Sequence, residues 1–261
     1  MTEHVLSLSY GKDSLACLGA IEELGWPLDR IAHAEVWATN DIPADLPPMV
    51  EFKKKADEII KRRWGIEVEH LRAKRTYEEC FYLTVGGFGK EAKTKNVGKI
   101  YGFPVRRGPW CNSRLKTGVL DSVKGVHYIG IAADEPSRFH NLTDERLSPL
   151  VEAGWDEAKC RKWCEENDLL SPIYTTSTRG GCWFCHNQGV GQLRLLRKNY
   201  PELWALMLKW DKDSPVTFHA DGHTVRDFER RFQMEDDGFV CPEERWKWEY
   251  LDSELVNYRL F

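Results

Sequence analysis

Hydrophobic and polar positions alternate between two periods along the first two thirds of this chain. His4 to Ser9 (HVLSLS) is short and apolar-rich, reads as a strand, and turns at Tyr10-Gly11. From Leu15 to Leu24 the apolar residues fall at helical spacing. That run stops at Gly25 with Pro27 just beyond, the usual punctuation of a helix C-terminus. Ile31 to Thr39 predicts a second strand, Pro48 to Trp64 an amphipathic helix with a Lys/Arg face, and Ile66 to Ala73 a third strand. Thr76-Tyr77-Glu78-Glu79 has the form of a capping box that opens another helix. Asn112 to Val123 reads as helix, Val126 to Ala132 as a strong strand, and Trp155 to Asn167 as helix again. Strands alternating with helices of this length predict an α/β fold, a Rossmann-like parallel sheet with helices on both faces. After residue 190 the pattern changes. Gln192 to Trp210 and Val225 to Met234 are helical and no strand pattern is clear. The expected organisation is an α/β domain over residues 1–190 and a helical region over 191–261.

Composition narrows what such a chain does. A net charge of −4 over 261 residues argues against a general polyanion binder, so any nucleic-acid contact must come from a local basic patch. The candidate patch is the Gly-rich stretch Gly86 to Arg107 and its continuation to Lys116, with Lys90, Lys93, Lys95, Lys99, Arg106 and Arg107 against Glu91 alone. A loop of that length in a compact domain is either a functional lid or a solvated segment. No apolar run near Met1 qualifies as a signal peptide and none approaches a membrane span, so the expected location is the cytoplasm, where thiols stay reduced. That expectation bears on GGCWFCHNQG, residues 180 to 189, whose Cys182-x-x-Cys185-His186 has the spacing of half a zinc site, of a redox pair and of a c-type haem attachment. Haem attachment and structural disulfides belong to oxidising compartments, which leaves metal, redox chemistry or burial.

SYGKDS, residues 9 to 14, sits between the first strand and the first helix, where α/β sheets bind ligands and a helix N-terminus attracts anions. Gly11 admits a phosphate close to the backbone, Ser9 and Ser14 offer hydroxyls, Lys12 supplies positive charge, and Asp13 can orient the loop or a Mg²⁺ ion. The Walker pattern G-x-x-x-x-G-K-[ST] is absent.

This loop resembles the pyrophosphate-binding SGGKDS of the PP-loop superfamily, with Tyr10 in place of a glycine. Further segments resemble its phosphoadenosine phosphosulfate (PAPS) reductase-like branch: Gly130 to Arg138, then Ser148-Pro149-Leu150 with Trp155, then Leu170 to Tyr174, then Gly181-Cys182-Trp183-Phe184-Cys185, with Cys111 ahead of Lys116. The resemblance spans roughly residues 4 to 190. It implies ATP or a related adenine nucleotide at the carboxyl edge of the sheet, its phosphates on Ser9, Tyr10, Gly11, Lys12, Asp13 and Ser14, and Arg138 as a further phosphate contact. Adenine is expected near Thr39 to Asp41. The catalytic candidates are Lys12, Asp13 and Arg138, with Mg²⁺.

Two departures separate the chain from true sulfonucleotide reductases, which resemble it in segment order. It keeps Lys12 and Asp13, as ATP-cleaving members do, and its final stretch WKWEYLDSELVNYRLF has no cysteine. The expectation is an ATP pyrophosphatase-type enzyme that adenylates a substrate and suits sulfur insertion into a nucleobase or related molecule. The alternatives are a sulfonucleotide reductase and a non-catalytic nucleotide sensor or nucleic-acid-binding partner. Of the eight cysteines, Cys17, Cys80, Cys160 and Cys164 read as core and Cys241 has no assignment. Cys111, Cys182 and Cys185 are the candidate metal ligands. The family comparison suggests a [4Fe–4S] cluster with one open iron, and a fourth ligand such as His186, Cys160 or Cys164 would instead close a zinc site.

Overall fold

A computed structural model of the protein describes residues 2–86, 96–105, 109–175 and 181–244. Its five strands are β1 (His4–Ser7), β2 (Arg30–Glu35), β3 (Val68–Arg72), β4 (Val126–Tyr128) and β5 (Arg146–Leu147). They form one sheet in the order β3-β2-β1-β4-β5, and every pairing is parallel. The Rossmann-like α/β expectation therefore holds. In the register, Leu6 lies beside Ile31 and Tyr128, and Val5 beside Arg30 and His127. Because strand side chains alternate between faces, Leu6 and Val5 serve two different cores.

The Leu6 face carries the larger core. Helices α1 (Lys12–Leu24) and α2 (Pro47–Trp64) cover it, with Leu15, Leu18, Ile21, Phe52, Ala56 and Ile60 buried against Leu6, Leu8, Ile31 and Tyr128. All residues from Ser14 to Ile21 of α1 are buried. Leu150 of the short helix α6 (Pro149–Glu152), Trp155, and Cys160 and Cys164 of α7 (Glu157–Glu166) close over it from the other side. On the opposite face Val5 and Ala32 meet Val123, with Leu71 and Leu120 packed alongside. Leu120 ends an irregular helical stretch made of α4 (Trp110–Asn112), a π turn over Ser113–Thr117, and α5 (Gly118–Leu120).

Several predicted bounds shift for physical reasons. The capping box is present: Glu79 N–H donates to Thr76 Oγ1 at 3.2 Å and Thr76 N–H to Glu79 Oε2 at 2.7 Å, opening α3 (Tyr77–Phe81). Strand β2 stops at Glu35, short of Thr39, because the chain folds back so that Trp37 pairs antiparallel with Pro43. The helix predicted over 192–210 is two helices, α8 (Val190–Asn199) and α9 (Pro201–Asp213), because Pro201 has no N–H to continue the ladder.

The described residues group into two compact units, one within Met1–Cys80 and Trp110–Trp183 and the other within Phe81–Pro109 and Phe184–Phe261. The first holds the sheet. In the second, residues 81–85 run antiparallel to 98–102, with Tyr101 N–H on Leu83 O at 2.9 Å and Val85 N–H on Lys99 O at 2.8 Å. An aromatic core of Phe81, Phe103, Phe184, Trp210, Phe218 and Phe228 joins this pair to α9 and to α10 (Val225–Asp236). Buried Asp211 accepts from Val225 N–H at 2.8 Å and Arg226 Nε at 2.9 Å, placing a carboxylate on the positive end of α10. Asp211→Ala leaves those donors without an acceptor and should cost about 2 kcal/mol, read as a lower urea midpoint. Among the described residues, no helix is long and apolar enough to cross a membrane.

Candidate functional site

Strand β1 is where the strand order reverses, since the chain runs outward to β2 and β3 on one side and to β4 and β5 on the other. Ligand clefts of parallel sheets form at the carboxyl ends of the strands flanking such a point. A cavity of about 650 Å³ opens there within the first unit, lined by Ser7 to Ser14, by Gly130, Glu135, Arg138 and Glu157, and by His33, Asp45 and Lys53.

The SYGKDS loop is internally braced. Ser9 Oγ and Ser14 Oγ lie 2.9 Å apart, Ser9 N–H donates to Ser14 Oγ at 3.1 Å, and Ser14 Oγ donates to Gly11 O at 3.0 Å. Lys12 N–H, at the start of α1, donates to the Tyr174 hydroxyl at 3.0 Å. From the other side of the switch point, Gly130 presses on α1. A β-carbon there would lie 2.6 Å from Ser14 N and 2.8 Å from Asp13 C, so only glycine fits.

Tyr10, where the resembled loop has glycine, has a φ of 57°. For a residue with a β-carbon that conformation costs about 1 kcal/mol, offset here by anchoring. The side chain is fully buried, its hydroxyl donates to Asp57 and lies 3.3 Å from His70 Nε2, and its ring meets His33 edge-on at 4.8 Å. Tyr10 is thus a plug beneath the loop. Burial and then Asp57 raise its phenol far above the ordinary range, so it stays protonated.

Charge converges in front of the loop. Lys12 Nζ sits 2.7 Å from Asp13 Oδ1 and 3.2 Å from Glu157 Oε2, while Arg138 holds Glu135 at 2.7 Å. Ligand oxygens of Asp13, Glu135 and Glu157 lie within 4.8 Å of one another. Burial raises the Asp13 carboxyl above its usual range and Glu157 and Glu135 add to this, with Lys12 acting in the opposite direction. Burial would lower Lys12, but Asp13 and Glu157 outweigh it and the ammonium ends above its ordinary value. Three hard oxygen donors, one of them a carboxyl held above its usual range chiefly by burial, match what a Mg²⁺ ion requires.

Beside the loop the cavity is lined by residues that the sequence did not single out. His33 Nδ1 is 2.8 Å from Leu8 O and its Nε2 is 2.8 Å from Lys53 Nζ, which also reaches Asp45 Oδ2 at 2.5 Å. The carbonyl fixes the proton on Nδ1, so Nε2 accepts from the buried ammonium. Burial and then Lys53 push the His33 pKa well below its ordinary value. The unfolded chain takes up a proton near pH 6.5 while native His33 does not, so stability present at pH 7 is lost as pH falls below 6.5. His33→Gln should flatten this acid limb by up to about 1.4 kcal/mol per pH unit, measured by denaturant unfolding between pH 7 and pH 5.

Of the expected site residues, Ser9, Tyr10, Gly11, Lys12, Asp13, Ser14 and Arg138 line this one cavity. Thr39 and Asp41 do not: they sit in a turn where Thr39 Oγ1 accepts from Asp41 N–H and Ile42 N–H, and the wall nearest them is Val36, Ala44, Asp45 and Met49. Among the sulfurs, Cys182 lines the cavity and Cys111 lies half-buried in α4, both in the first unit, whereas Cys185 belongs to the second. Cys160 and Cys164 are buried against α1, where burial pushes both thiols up to about 12. No disulfide forms among the described residues. Most of the basic stretch, residues 87–95 and 106–108, lies outside the described residues, while Lys116 lines the cavity.

A scan against protein-family models and a search of curated proteins both return no match to this chain.

Proposed function

We propose that the protein binds ATP in the cavity at the β1/β4 switch point and cleaves it between the α- and β-phosphates, transferring the adenylyl group to an acceptor. The observation that carries this reading is the braced loop from Ser9 to Ser14, with Gly130 packed against the start of α1 and Lys12 beside a carboxylate trio. In the step itself an acceptor oxygen attacks the α-phosphorus, a new P–O bond forms, and the bond to the bridging oxygen breaks to release pyrophosphate. The chain's part is positioning and charge. The N-terminus of α1 faces the phosphates, Lys12 exchanges a carboxylate partner for a phosphate oxygen, and Arg138 lies within reach of the leaving pyrophosphate. Asp13, Glu135 and Glu157 would hold Mg²⁺, which supplies charge neutralisation to the phosphates.

The Lys53 side of the cavity suits the nucleoside. Val36, Ala44 and Met49 give it an apolar lining, and Lys53 and Asp45 give it polar groups at fixed positions. The acceptor is proposed as a nucleobase or related small molecule, with sulfur insertion as the use of its activated oxygen. The test is incubation of the purified chain with ATP, Mg²⁺ and candidate acceptors. Release of pyrophosphate with the adenylyl group carried on the acceptor is expected, and AMP only once a second nucleophile displaces it; orthophosphate release, or sulfite from PAPS with a thiol donor, would overturn the reading.

A further inference from the structure

The first turn of α1 does not present all of its amides directly to a ligand. Gly11 N–H points to Ser9 Oγ at 3.4 Å, and Lys12 N–H donates to the Tyr174 hydroxyl at 3.0 Å. An anion drawn to this helix end meets those two hydroxyls before it meets the two amides. Ser9, Gly11 and Tyr174 all line the cavity. A β-carbon added at Gly11 would lie 3.4 Å from Ser9 Oγ and 3.5 Å from the Tyr174 oxygen, so the glycine leaves the space between the two hydroxyls open.

The two hydroxyls differ in what their protons do. Ser14 Oγ donates to Gly11 O at 3.0 Å, so in the 2.9 Å contact between the serines it is Ser9 Oγ that donates. Both serine protons are thereby engaged within the loop. The Tyr174 oxygen accepts from Lys12 N–H, and among the described residues no group accepts its O–H. Burial raises the phenol above its ordinary range, against the opposing effect of the Lys12 amide, so the proton is present at neutral pH. A hydroxyl that accepts a bond on its oxygen is polarised and donates more strongly through its hydrogen.

Phenol and amide are each held independently of the bond between them. Tyr174 lies in a 3-10 turn (Pro172–Thr175) that follows buried Ser171. Tyr174 N–H donates to Ser171 O at 3.1 Å, Ile173 N–H to Ser171 Oγ at 3.3 Å, and Ser171 Oγ to Met49 Sδ of α2 at 3.2 Å. On the other partner, the Cys164 thiol of α7 donates to Lys12 O at 3.2 Å. We infer that Tyr174 contacts the substrate, its hydroxyl donating to a non-bridging oxygen of the bound nucleotide's phosphate chain while its oxygen keeps the Lys12 amide. This rests on the nucleotide reading of the cavity and adds a donor to it. The N-terminus of α1 then acts on the phosphate through a relay from amide to phenol to ligand, and a neutral group shares with Lys12 the work of holding negative charge.

The test compares ATP with adenosine, a probe of the same base without phosphate, on the full chain in Mg²⁺. ATP binding is read by calorimetry and adenosine binding by saturation-transfer NMR. Tyr174→Phe removes the donated proton but keeps the ring against Lys12 N–H, so the phosphate cannot take that amide instead. It should weaken ATP about tenfold or more and leave adenosine within about twofold, since a hydrogen bond to a charged group is lost and nothing else. Unchanged adenosine binding also shows that the variant is folded. Equal ATP affinity in the two proteins overturns the inference. Tighter ATP binding by the variant overturns it too, because the phenol would then be competing with phosphate for the amide. A wild-type chain that binds no ATP removes this inference and the nucleotide reading together. ATP binding that weakens in the variant, without pyrophosphate release by the wild type, upholds the Tyr174 contact and removes only the adenylylation.

Discussion

Lys12→Ala is expected to lower pyrophosphate release by about two to three orders of magnitude, the loss typical when one preorganised group facing a developing charge is removed. The side chain is held at one end of a cluster of three carboxylates, 2.7 Å from Asp13 and 3.2 Å from Glu157, and is largely buried. Its ammonium has only to give up one neighbouring carboxylate to meet a phosphate, so its loss should be felt in the chemical step more than in ground-state binding. The same variant leaves Asp13, Glu135 and Glu157 with Arg138 as the nearest countercharge. Like charges this close repel, so the variant should also lose stability in the absence of divalent cations and regain it when Mg²⁺ is added. The two readouts, steady-state pyrophosphate release and thermal melting with and without Mg²⁺, separate the catalytic loss from the structural one. Activity within threefold of wild type would remove Lys12 from the mechanism.

The second large effect is expected at Gly130. Gly130→Ala places a methyl carbon 2.6 Å from Ser14 N and 2.8 Å from Asp13 C. Both are backbone atoms and cannot rotate away, so the carboxyl end of β4 and the first turn of α1 must separate. Forced overpacking of this kind costs about 1–3 kcal/mol, and the displacement falls on the loop that would carry the phosphates. The prediction is a lower urea midpoint together with nucleotide affinity weakened more than about tenfold, because an ångström of misplacement is expensive at a positioned site. Gly191→Ala in α8 is the matched control: nothing lies within 4 Å of its added carbon, and helix propensity favours alanine. It should leave binding unchanged and stability equal or slightly higher.

Much of this site was legible in the chain because its parts are local. Residues 4–9 and 15–24 show a strand and a helix by period, and the turn between them carries Lys12 and the two serines. Gly130 and Arg138 were singled out only by the resemblance of residues 130–138 to a PAPS reductase-like segment. Other features were hidden by their nature. Strand β5 is two residues long, too short for a period of two to register. Lys53 sits in a run of three lysines on an amphipathic helix, which reads as a solvated face; its burial follows from His33 and Asp45, residues 20 and 8 positions away. Thr39 was placed by extending a strand pattern through Trp37, whose antiparallel bridge to Pro43 no local periodicity announces.

Tyr10 was described as a plug beneath the loop, and its position has a mechanical consequence. The hydroxyl is tied to Asp57 and the ring abuts His33 and Lys53, so each of these contacts is reached through α2 or through a side chain that α2 holds. A glycine at the same place would leave the loop to follow α1 alone. With tyrosine, the loop and the second helix travel as a linkage: a shift of α2 along its axis either carries the backbone at residue 10 with it or breaks the Tyr10–Asp57 bond. A molecule that leans on Lys53 would therefore bear on the backbone at residue 10 through one phenol ring.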